Sequence, residues 1–180
     1  DMILTSDLAT LPVDRVIARG RLVAEAGRLA APCPHIRWPD HARQSVRTGK
    51  RLGAEDFAIP APAGANAVRA RVIGVIENQA PTSAQTADLP VRDGLVEADG
   101  AVCQIALVER HRGTGAVTNG FVTGFGYDVP MALASTVAHD SHHMIVVGTD
   151  RALMAAAANR LAEVGGGVTL WREGGEAALV

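Results

Sequence analysis

One stretch of this chain, Arg151 to Val164, carries its apolar residues at helical spacing, and most other apolar residues fall in runs of strand length. Leu153, Met154, Ala157, Leu161 and Val164 recur on one face, Asp150 stands at the N-cap position, and Gly165-Gly166-Gly167 follows as a stop. Strands are expected over Val68–Ile76, Leu95–Glu97, Val102–Val108, Ala116–Thr123 and Val168–Trp171, with a last hairpin turning at Gly174-Gly175. Strands feeding one packed helix predict an α+β fold. Aromatic residues are only 3% of the chain, so the core must be built from Val, Ile, Leu and Ala.

The pattern divides the sequence into three parts. Residues 1–30 read as short strands with tight turns at Gly20-Arg21 and Ala26-Gly27-Arg28. Residues 31–66 carry Pro32, Pro34, Pro39, Pro60 and Pro62 with few long apolar stretches, as a linker or wrapping segment does. Residues 67–180 form the denser unit. The chain starts at Asp1 inside a strand-like run and stops inside another, Ala177–Val180, so a piece of a longer polypeptide is expected.

Charge and composition narrow the function classes. A net charge of −2 without a Lys/Arg block, and so few aromatics, argue against nucleic acid as a partner. No apolar run approaches the ~20 residues that span a bilayer. Cys33 and Cys103 have no metal-like spacing and no signal sequence precedes them, so a reduced cytoplasmic compartment is expected. Cys103, inside an apolar strand, reads as a small buried hydrophobe.

The main candidate for chemistry is His139-Asp140-Ser141-His142-His143, set between the apolar runs Met131–Ala138 and Met144–Gly148. Three readings stand. His139 and His142, three apart, could ligate a divalent metal with Asp140. One imidazole oriented by a carboxylate could do acid–base work near neutral pH. Or the segment is a polar turn between two strands, its Asp and Ser bonding backbone amides. Glu109-Arg110-His111-Arg112-Gly113-Thr114-Gly115 could hold an anion through its arginines, but reads more simply as a solvated strand end with internal salt bridges. Gly113, Gly115, Gly120, Gly124 and Gly126 interrupt a strand with no helix start or Gly-Lys-Ser/Thr after them, and read as structural. Glu77-Asn78-Gln79 closes a strand, where polar side chains can line a cleft or make a turn.

Longer strings carry a resemblance. Val72–Asn78, Gln104–Gly115, Gly120–Gly126, Ser135–His142, Met144–Thr149, Asn159-Arg160-Leu161 and Gly165–Gly167 together resemble the microbial adenine deaminases of the amidohydrolase superfamily. Asp1–Leu4 and Val16–Glu25 are similar to the closing strands of that superfamily's small β-sandwich. The resemblance implies a β-sandwich remnant followed by the C-terminal α+β domain of an enzyme that hydrolyses adenine to hypoxanthine and ammonia. It also implies a manganese or iron centre whose ligands lie in a barrel outside this chain, which has no His-x-His pair. Adenine, water and the remainder of the barrel are the implied partners, in a homo-oligomer. His139, Asp140 and His142 are then expected to face the active site. His143 stands where relatives commonly have Asn, and is assigned no role. The rival expectation is a structural or oligomerisation domain with no catalytic residue.

Overall fold

The computed structural model describes residues 1–138 and 141–180. The chain forms two compact units, Asp1–Pro39 and Asp40–Val180. In the first, β1 (Met2–Leu4), β2 (Arg15–Ala18), β3 (Arg21–Glu25) and β4 (Arg28–Leu29) form an antiparallel meander in chain order. Its two tight turns place Arg19-Gly20 and Ala26-Gly27 all at positive φ, between 49° and 75°. That is the mirror-image turn whose twist suits a two-residue hairpin, and glycine in the second position lowers its cost.

The second unit is a nine-stranded sheet with one principal helix. A single helical turn, α1 (Asp40–Arg43), and a 3-10 turn (Ala54–Phe57) precede β5 (Ala67–Val75), β6 (Thr82–Arg92), β7 (Leu95–Val96), β8 (Val102–Val108), β9 (Val117–Thr123), β10 (Met131–Ser135) and β11 (Met144–Gly148). Then come α2 (Arg151–Val164), β12 (Val168–Arg172) and β13 (Gly175–Leu179). The sheet runs β13-β12-β10-β11-β8-β9-β5-β6-β7; β5 and β9 pair in parallel, through two register pairs, Ile73 with Val122 and Gly74 with Thr123. The α+β expectation holds. So does the helix with its ends: Asp150 accepts from Leu153 N at 2.9 Å, and Gly165 closes the helix in the left-handed region at φ 89°.

Two expectations needed adjustment. Val164, placed on the helix's apolar face by spacing, is 41% exposed at the last turn, where Gly165 ends the helix. The buried face is instead Met154, Ala155, Ala157, Ala158, Asn159 and Leu161. Nothing in the sequence pattern announces the longest strand, β6. Its Thr, Ser, Gln and Asp content hides it, and it is held by a nine-pair register with β5 across the turn at Asn78, whose φ is 57°.

The core shows why. One face of the sheet (Ala106, Val108, Ala132, Ala134, Met144, Val146) is covered by α2, together with Leu52 and Phe57 from the proline-rich stretch. Leu52 and Phe57 are 3% and 0% exposed, isolated apolar residues whose burial no periodicity announces. Three amide side chains satisfy that segment's backbone as it enters the core. Asn159 bonds both Leu52 N (2.9 Å) and Leu52 O (2.8 Å), Gln104 Nε2 donates to Phe57 O, and Asn119 Nδ2 donates to Asp56 O at 2.9 Å. A loop without its own ladder must find such partners if it is to be buried.

Candidate functional site

The chemistry-bearing segment joins β10 to β11, its described parts being Thr136–Ala138 and Ser141–His143. His139 and Asp140 lie outside the described residues. The polar segment follows from topology: β10 and β11 are antiparallel neighbours, and the chain must reverse between them. β11 also pairs with β8, with Met144 opposite Val108. That register carries the segment just before Met144 to the residues just after Val108, so the two polar clusters read separately from the sequence meet at one sheet end.

Arg110 is the hinge of that meeting. It is only 8% exposed, and its guanidinium spans three stretches of chain. Nε donates to His142 O at 2.6 Å, Nη1 to Ser45 O at 3.2 Å and Nη2 to Thr136 O at 3.4 Å. Its own carbonyl accepts from Arg47 N at 2.9 Å. Burial lowers its pKa from the ordinary guanidinium value, but arginine stays charged in proteins and bonds carbonyls strongly. The reading of this cluster as a solvated strand end fails for Arg110.

Glu109 organises the other side without a salt bridge among the described residues. Its carboxylate accepts from His111 N (2.6 Å), Arg112 N (2.8 Å), Thr114 N (3.0 Å) and Thr114 Oγ1 (3.0 Å). The Thr114 and Arg112 amides hold its pKa down to about 2 from 4.5. A depressed carboxylate stabilises the fold above its unfolded pKa and loses that contribution as pH falls through about 4.5 toward 2. Protection of the Arg112 and Thr114 amides, taken relative to intrinsic exchange, is therefore expected to persist at pH 4 and to fall only as pH approaches 2. In Glu109→Gln those amides should exchange fast already at pH 6. Equal exchange in the two proteins at pH 6 would contradict this account.

His111 completes the anchor. Its Nε2 lies 3.1 Å from Ser141 O, and because a carbonyl only accepts, Nε2 must carry the proton. Its ring packs on His143 at 4.9 Å between centroids, tilted by 47°. His143 is half-buried and His142 is exposed, with backbone φ 55°. His142 thus contributes its carbonyl to the protein and leaves its side chain toward solvent. Of the expected site residues, only His142 can be placed. Arg110 and His111 belong beside it, and sequence spacing could not show this because 30 or more residues separate the clusters.

Among the described residues no group of three or more His, Cys, Asp or Glu side chains is arranged to hold a metal. No helix is long and apolar enough to cross a membrane among the described residues.

Residues 79–180 match the family model described as adenine deaminase C-terminal domain. The chain belongs to the adenine deaminase C-terminal domain family. Curated relatives named adenine deaminase match the whole chain. The protein of Ruegeria sp. (strain TM1040) is 69% identical over 180 residues, and that of Paracoccus denitrificans (strain Pd 1222) 63%. The protein of Rubrobacter xylanophilus is 42% identical over 99% of the chain. The chain spans about 30% of the length of each of these relatives.

Proposed function

We propose that this chain is the C-terminal part of an adenine deaminase, an enzyme that adds water at the purine C6 and releases ammonia to leave hypoxanthine. The match of the whole chain to relatives carrying that name supports this reading. In it, manganese or iron is the cofactor, held by residues outside this chain. The chain by itself is inactive, and the whole enzyme is a cytoplasmic homo-oligomer. His142, with His139 and Asp140, faces the active site completed by the rest of the polypeptide and helps orient water and base. What supports His142 is its placement: a fixed backbone, anchored by Arg110, and an exposed imidazole.

The second reading, a purely structural role, also has an observation in its favour. At φ 55° His142 suits a polar turn in which only its backbone matters. His142→Asn in the full-length enzyme separates the two, because Asn tolerates the left-handed conformation yet removes the imidazole. On the catalytic reading kcat falls at least about tenfold, the rate equivalent of about 1.4 kcal/mol, with the thermal midpoint unchanged. Unchanged kcat removes His142 from the site. His139→Asn and Asp140→Asn test the other two in the same way.

A further inference from the structure

The sheet's two faces are not equivalent. One is sealed by α2, Leu52 and Phe57. On the other, the pairing registers line up Leu170, Leu133, Val147, Ile105 and Gly120 across five consecutive strands, β12 to β9. Phe125 and Tyr127 pack over the part of this face around Cys103, Val122 and Val147. Beyond them the face stays open: Ile73, Val75 and Leu107 are 44%, 42% and 37% exposed. A hollow of about 260 Å³ lies there, lined by Ile73, Ile105, Leu107 and Ile145 around Gly120.

An antiparallel sheet with one solvated face ordinarily alternates apolar inward with polar outward. Here both faces are aliphatic at the sheet's centre. Single exposed apolar residues need no explanation, but a contiguous band marks a contact surface.

We propose that this open face is the docking surface for the remainder of the enzyme's own polypeptide. The proposal rests on the reading of the chain as part of an adenine deaminase. The relatives carry more than twice this length again outside the matched region, since the chain spans 30% of them. A tethered partner meets the face at millimolar effective concentration, on the order of that for short linkers. It therefore covers an aliphatic surface that would otherwise drive aggregation. The fitting surface is apolar at its centre, because the band carries no ionisable group from Leu170 to Gly120, and polar or acidic at its edge, where exposed Arg71 stands beside Ile73 on β5.

The test uses Leu107→Asp and, separately, Ile73→Asp, each made both in the full-length enzyme and in this chain alone. Each side chain is more than half covered within the chain itself, so the isolated chain's midpoint should fall by only a few degrees. The full-length midpoint should fall by about 5 °C or more beyond the change in the isolated chain, or its transition split in two. No difference between full-length variants and wild type means the face is free, and overturns the proposal. A fall in the isolated chain as large as that in the full-length enzyme, for both substitutions, assigns the face to this unit's own core, and also overturns it. Loss of a dimer in light scattering, with the full-length transition otherwise intact, makes a second copy the occupant and overturns it as well. Adenine turnover by the wild-type full-length enzyme is read in parallel. Its absence would sink the functional reading, while the calorimetry still decides the docking.

Discussion

Arg110→Met should lower stability by about 3 kcal/mol, a shift of roughly 9 °C in the thermal midpoint for a unit of this size. Three backbone carbonyls, those of Ser45, Thr136 and His142, lose their donor together. An acceptor left unpaired costs about 1–3 kcal/mol where it is buried, and less at Ser45 and His142, which are exposed and within reach of water. Removing a buried charge relieves part of its desolvation penalty, which is why the expected loss stays below the sum. Arg110→Lys is expected to recover only part of it. One ammonium can follow the 2.6 Å contact to His142 O but cannot also reach carbonyls fanned around a planar fork. The measurement is thermal or denaturant unfolding of the two variants beside wild type. A Met variant as stable as wild type would show that water replaces the guanidinium at all three carbonyls.

Asn159→Leu should cost about as much, about 3 kcal/mol, for a different reason. Asn159 is 7% exposed on the helix face and reads both groups of one peptide position, accepting from Leu52 N and donating to Leu52 O. Leucine is nearly the same size and more apolar, so transfer free energy alone favours the substitution. The unsatisfied pair in the core outweighs that gain, because Leu52 is itself 3% exposed and water has little access. Asn159→Asp keeps the acceptor but turns a second oxygen toward a carbonyl, and should be destabilised at pH 7. Urea unfolding of both variants tests the ordering. A Leu variant more stable than wild type would mean the strap at residues 50–57 can shift to find other partners.

The single helix, its Asp150 cap and Gly165 stop, and the strands over Val68–Val75, Val102–Val108 and Val117–Thr123 follow from spacing and local chemistry, which act over a few residues. Cys103 as a buried apolar residue follows in the same way. The polar strand β6 does not, since nothing in Thr82–Asp88 favours burial until β5 lies beside it. Nor do Leu52 and Phe57, lone apolar residues among prolines whose place depends on α2 and on three amide side chains elsewhere.

The candidate site divides along the same line. The His139–His143 segment could be picked out because ionisable residues between two apolar runs are a local anomaly, and the long strings around it carried the family resemblance. That Arg110 is buried and His111 packs against His143 could not be read there. Those contacts depend on the register that sets Met144 opposite Val108, and so on hydrogen bonds between strands far apart in the chain. Local sequence determined which residues turn, cap and alternate. Only the tertiary pairing decided which charges are buried together and which sheet face stays open, because both are properties of neighbours that the sequence does not place side by side.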